Sequence, residues 1–238
     1  MDRFDLADGR CLALHCRTGR PGARSLIILH GMERDAARYL AQWSALDTDG
    51  SFNLIAPEFD QRQFPGWRGY NLGGEGPEFG AVFTALTLLA NAFGGADFYG
   101  HSAGAQVVQR YVLFGNTEPD AMFIAANAGW YTAPEDTPFP YGLADGPICD
   151  LGQVFSRRLI LLSGAGDVDA NHRGLRHDEG ATRQGANRLE RAKWMMKCAR
   201  QTASTTDTAF HWQHKIALAA GHSNRAMAPT AMQILLGR

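Results

Sequence analysis

Short apolar runs alternate with longer amphipathic stretches along the whole chain, and the alternation predicts strands and helices in turn. Arg10–Cys16 predicts an early strand. Ser25–His30 (Ser-Leu-Ile-Ile-Leu-His) predicts a buried one, being continuously apolar and β-branched at its centre. Asp35–Ser44 reads as a helix with Asp35 near its start, Asn53–Ala56 as a strand ended by Pro57, and Pro77–Phe93 as a long helix with proline in its first turn. Ala96–Tyr99 reads as a strand and Ala105–Phe114 as the helix behind it, followed by a strand at Ala121–Ala126. Four prolines make Trp130–Gly152 an irregular excursion. A second buried strand, Arg158–Ser163, leads into a loop reaching about Thr182. Helix Gly185–Arg200, strand Phe210–Ala217 and helix Asn224–Leu236 complete the chain. Strands and helices in this order predict an α/β fold: a mostly parallel central sheet with helices on both faces.

The 238 residues suit one domain, 1–238, and 45% hydrophobic residues suffice for a full core. A net charge of −1 with basic residues spread along the chain gives no sign of a nucleic-acid or membrane partner. No apolar run approaches the roughly 20 residues that span a bilayer. Met1-Asp2-Arg3-Phe4-Asp5 lacks a basic-then-apolar leader pattern, so a cytoplasmic location is expected. Cys11, Cys16, Cys149 and Cys198 show no zinc spacing and read as free thiols. Oligomeric state is not legible.

Between the strand at Ala96–Tyr99 and the helix at Ala105–Phe114 stands Gly100-His101-Ser102-Ala103-Gly104, a G-x-S-x-G pattern. A serine on a tight strand-to-helix turn is pushed out at the sheet edge, and only small neighbours let the two backbone arms close up. A serine hydroxyl needs a base, and the base a carboxylate to orient it. In proteins built on this elbow the acid and the histidine follow the serine, each after a later strand. Ser163-Gly164-Ala165-Gly166-Asp167-Val168-Asp169 and Gly221-His222-Ser223 stand in those places. Asp167 is the preferred acid because it lies nearer the strand end. Asp169 is the alternative acid, and whichever is not used hydrogen-bonds loop backbone. The oxyanion donors are expected to be the N–H groups of Ala103 and of Met32, in the loop His30-Gly31-Met32 after the first buried strand.

Other histidines have plainer readings. His101 fills space behind the serine, His30 ties down loop backbone, and His172 and His177 are solvated. No metal-ligand spacing, Gly-rich nucleotide fingerprint or phosphate loop is present, so no metal and no cofactor are expected.

The chain resembles a bacterial α/β-hydrolase group named poly(3-hydroxybutyrate) depolymerase-like or feruloyl-esterase-like. The resemblance runs from about Ser25 to the C-terminus. It is carried by HGMERDAARYL (30–40), PEFDQRQFPGWRGYNLGG (57–74), GHSAGAQVVQR (100–110), ANAGWYT (126–132), GAGDVDANHRGL (164–175), RQGANR (183–188) and AGHSNRAMAP (220–229). It implies the α/β-hydrolase fold with a minimal lid, and places the serine on Ser102, the acid on Asp167 and the histidine on His222. Some members carry proline after the leucine equivalent to Leu175, where this chain has Arg176.

These observations predict a serine esterase acting on small to medium acyl or aromatic esters, its partner a small-molecule substrate. A thioesterase or peptidase would use the same triad, and a non-catalytic binding protein the same fold. Trp130, Tyr131 and Trp67 are the candidate substrate-binding residues, placed to wall an acyl or aromatic pocket. Arg34, Arg68 and Arg173 read as solvated surface residues, with a substrate carboxylate as the other possibility.

Overall fold

The computed structural model describes residues 2–237. Its eight strands are β1 (Asp2–Asp5), β2 (Cys11–Arg17), β3 (Arg24–Leu29), β4 (Phe52–Glu58), β5 (Asp97–His101), β6 (Met122–Ala126), β7 (Arg158–Gly164) and β8 (Gln213–Ala217). They form one sheet in the order β1-β2-β4-β3-β5-β6-β7-β8. The first two strands run antiparallel to their neighbours and every other pairing is parallel.

The period-two alternation within each strand divides the core. Ile27 and Leu29 face one side with Phe98, Phe123, Ala125, Leu159 and Leu161. Leu26 and Ile28 face the other with Tyr99, Ile124, Ile160 and Leu162. Helices α3 (Ala81–Ala92), α4 (Ala103–Phe114) and α7 (Arg188–Thr205) cover the first face, and α1 (Ala36–Leu46) and α8 (Asn224–Leu236) the second. The fold is thus the one expected, an α/β-hydrolase sheet covered on both sides. Among the described residues no helix is long and apolar enough to cross a membrane.

The departures have local causes. Strand β1 extends the sheet through a hairpin with β2 that four polar-rich residues did not advertise. Pro77 lies in a separate 3-10 turn, Gly76–Glu78, and Gly80 at φ 87° breaks the chain before α3 begins at Ala81. Helix α7 starts at Arg188, because the Asn187 side chain caps it by accepting from the Glu190 N–H at 3.0 Å. The last strand starts at Gln213; Phe210 and Trp212 instead pack on Phe155, and the His211 N–H donates to the Phe155 carbonyl at 2.9 Å. Three short helices went unforeseen: α2 (Gly66–Gly69), α5 (Leu151–Ser156) and α6 (Glu179–Arg183). Each spans too few residues to show a helical period.

Candidate active site

Ser102 sits between β5 and α4 with φ 57°, a left-handed backbone held by its surroundings. A Cβ on Gly100 would meet the Gly104 carbonyl oxygen at 2.2 Å, and one on Gly104 the Leu29 carbonyl oxygen at 2.4 Å. Glycine is therefore required at both positions: strand, helix and the neighbouring strand β3 meet backbone to backbone. The Ser102 N–H donates to the Ala126 carbonyl at 2.9 Å, which pins the turn to β6.

Loops at the same sheet edge bring up two partners. His222 Nε2 lies 3.2 Å from the Ser102 hydroxyl, and its Nδ1 lies 2.7 Å from Asp167 Oδ2. Asp167 is buried, whereas Asp169 is exposed and accepts from the Asn171 N–H at 2.9 Å. Of the two aspartates only Asp167 is within hydrogen-bond reach of His222, and Asp169 turns its own loop. Asn127, at the end of β6, clamps both loops: it donates to the Gly221 carbonyl at 2.8 Å and accepts from the Gly164 N–H at 2.8 Å.

Arg188, a residue singled out by no motif chemistry, completes the group. Its buried guanidinium donates to Asp167 Oδ1 at 3.3 Å, opposite the oxygen that faces His222. The Asn187 cap sets where α7 begins and thus where Arg188 points. One turn on, the buried Arg191 ties together the carbonyls of Gly129, Arg176 and Gly185. Burial lowers the pKa of Arg188 from its ordinary value, against the upward pull of Asp167.

The loop after β3 is built as rigidly. The Gly31 N–H donates to the Tyr39 hydroxyl at 3.1 Å, and that hydroxyl is also hydrogen-bonded to His101 Nδ1, 2.8 Å away. A Cβ on Gly31 would lie 3.7 Å from Ser102 Cβ, which sets the Gly31–Met32 backbone beside the serine. Ala103, the other expected donor, is buried at the first turn of α4. His101 fills space behind the serine, its ring 5.0 Å from that of His222. Burial first, and then the charges of His222 and Arg188, keep it well below its ordinary pKa. His30 anchors loop backbone by accepting from the Phe59 N–H at 3.0 Å. Its pKa is lowered to about 4 by burial.

Three expectations need correction. His172 is not a solvated loop residue: its ring packs edge-on against His222 with centroids 5.1 Å apart. Arg34 is buried, with φ 60°, and donates to the Phe64 and Gly66 carbonyls at 3.0 Å each, so it braces a loop rather than standing solvated at the surface. Arg68 remains at the surface, paired with Glu75. Trp130, Tyr131 and Trp67 do not line the cleft beside Ser102. The Trp130 ring covers the buried Arg110 guanidinium at 3.9 Å and meets Trp67 edge-on at 5.8 Å, and Arg176 stacks on Trp67 at 4.1 Å. Tyr131 exchanges backbone hydrogen bonds with the Gln184 side chain at 2.9 and 2.7 Å. Trp130 and Trp67 thus stack with arginines from α4 and the acid loop, and the Tyr131 backbone is tied to Gln184. The cleft itself holds about 450 Å³ and is lined by Met32, His172 and several charged side chains. Among the described residues no cluster of three or more His, Cys, Asp or Glu is placed to hold a metal.

A serine, histidine and buried aspartate in hydrogen-bond reach at one edge of a mostly parallel sheet define an α/β hydrolase. Comparison with solved structures agrees. Poly(aspartic acid) hydrolase-1 from Sphingomonas sp. KT-1 is 30% identical over 99% of this chain and 97% of its own, with a TM-score of 0.87. A poly(3-hydroxybutyrate) depolymerase from Bordetella parapertussis is 26% identical over 96% and 85%, with a TM-score of 0.84. A carboxylesterase from Mesorhizobium loti, 18% identical over 90% and 89% with a TM-score of 0.52, shares the fold. No protein-family model and no curated protein matches the chain. The chain belongs to the α/β-hydrolase superfamily.

Two outcomes are expected. Replacing Arg188 by Met leaves Asp167 buried without its counter-charge, and chemical denaturation should show a loss of about 3 kcal/mol. His30 is held neutral in the fold, so the unfolded chain takes up its proton first as pH falls. Stability is complete above about pH 6.5 and declines towards pH 4, by about 3 kcal/mol for this residue. Denaturation midpoints across that range should show the decline, and His30→Gln should flatten it.

Proposed function

We propose that this protein is a serine hydrolase of carboxylic esters. The observation that carries the reading is the continuous hydrogen-bond path from the Ser102 hydroxyl through His222 to the buried Asp167. Ser102 attacks the acyl carbon while His222 Nε2 takes its proton, and Asp167 holds the imidazolium that forms. The developing oxyanion is met by the N–H groups of Met32 and Ala103, which the Tyr39 tie and the start of α4 hold in place. His222 returns the proton to the leaving alcohol. Water, activated by the same histidine, then cleaves the acyl-enzyme.

The charge balance favours this path. Arg188 and Asp167 form an ion pair behind the base. After proton transfer the cluster carries one net positive charge beside the negative oxyanion. Arg188 thus gives the buried Asp167 a counter-charge on the side away from His222.

A second reading has its own support: the similar structure from Sphingomonas is named for poly(aspartic acid) hydrolysis, so amide cleavage on the same triad is the alternative. Rates on an ester, an amide and a thioester of one acyl group separate the readings, and the account expects the ester to be fastest. Ser102→Ala should lower kcat on p-nitrophenyl butyrate by roughly 10⁵-fold or more. Retention of full activity by that variant would end the proposal.

A further inference from the structure

The cleft beside Ser102 holds more positive charge than the fold itself uses. Its charged lining consists of Glu33, Arg38, Arg173, Arg188 and Arg225. Glu33 pairs with Arg38, and Arg188 with Asp167 behind the base. Arg173 and Arg225 remain. Among the described residues neither side chain makes an ion pair or a hydrogen bond, and both are exposed. They come from separate segments that flank the triad: Arg173 follows Asp167 in the acid loop, and Arg225 follows His222 at the start of α8.

The position of Arg225 is electrostatically unfavourable for the fold alone. It lies in the first turn of α8, where the helix already presents its positive end, and that turn contains no acidic residue. Ordinary surface chemistry would place Asp or Glu there.

His172 adds a donor of fixed polarity. Its Nδ1 accepts from the Gly174 N–H at 3.1 Å and from the Arg188 guanidinium at 3.3 Å. Arginine only donates, so the ring proton resides on Nε2. Among the described residues no acceptor takes that N–H, and His172 lines the cleft. Burial, with the charges of Arg188 and His222, lowers its pKa and keeps the ring neutral.

Two uncompensated guanidiniums and a neutral N–H donor in one cleft call for an oxyanionic occupant. An apolar acyl chain would offer neither guanidinium a partner, whereas an anion offers both one. The guanidinium fork suits a carboxylate, which it can grip through two parallel hydrogen bonds. We infer that the substrate carries a free carboxylate besides its scissile bond, read by Arg173 and Arg225 with His172 as a further donor. Half-esters of dicarboxylic acids are the simplest members of this class. The inference rests on the hydrolase reading above, and it replaces the aromatic acyl pocket expected from Trp130, Tyr131 and Trp67.

The test compares monomethyl glutarate with methyl pentanoate, which has the same chain length without the charge. The acid should have the higher kcat/KM, by about tenfold at low ionic strength. That preference should shrink in about 0.5 M sodium chloride, as screening of exposed charges requires. The Arg173→Gln, Arg225→Gln double variant should bring the ratio of the two kcat/KM values towards one. A ratio near one in the unaltered protein, or a ratio the double variant leaves unchanged, overturns the inference. Calorimetric titration of the Ser102→Ala protein with glutarate reads the site without turnover. Binding lost with the two arginines supports the inference even if neither ester is hydrolysed, in which case the esterase reading alone fails. Hydrolysis of methyl pentanoate without glutarate binding sinks the inference and leaves the esterase reading standing.

Discussion

The backbone of Ser102 carries the constraint on which the rest of the site depends. A non-glycine residue at φ 57° persists only where its neighbours leave no alternative. Here the absence of side chains at Gly100 and Gly104 lets β5, α4 and β3 approach at distances that no Cβ would permit. The same closeness that strains the turn aims the hydroxyl out of the sheet edge. It also sets the first N–H of α4 beside the serine, so the proposed nucleophile and one proposed oxyanion donor share a single cause. Buried side chains on α4 absorb the cost, because nearly the whole helix packs between the sheet and its neighbours.

Around that fixed point the loops are held by polar ties. Asn127 joins the acid loop to the histidine loop, and Arg191 joins the acid loop to the segment after β6. Tyr39 ties the Gly31 backbone to His101. The ties of Asn127 and Arg191 end on backbone carbonyls and amides, and that of Tyr39 runs from the Gly31 amide to the His101 ring. Arg188 differs, since it ends on the Asp167 carboxylate itself and places a charge as well as a hydrogen bond there.

Much of this was legible in the chain. The buried strands showed as apolar runs, and the elbow showed because its glycines, serine and flanking elements are contiguous. Asp167 could be preferred over Asp169 because strand end and acid lie four residues apart. Arg188, Asn127, Tyr39 and His172 were not legible. Each acts through a partner distant in sequence, and none belongs to a spacing that chemistry alone dictates. Trp130, Tyr131 and Trp67 misled for a related reason. Arginines from α4 and the acid loop stack on the rings of Trp130 and Trp67, and the Tyr131 backbone is tied to Gln184. The cleft they were expected to wall is lined with charge instead.

The central claim is that Ser102 is an activated nucleophile in an otherwise ordinary fold. Reaction of the folded protein with a fluorophosphonate, followed by intact mass and peptide mapping, tests it most directly. The account predicts one adduct per chain, on Ser102, and none after His222→Ala. An unmodified protein, or an adduct on any other residue, would contradict it.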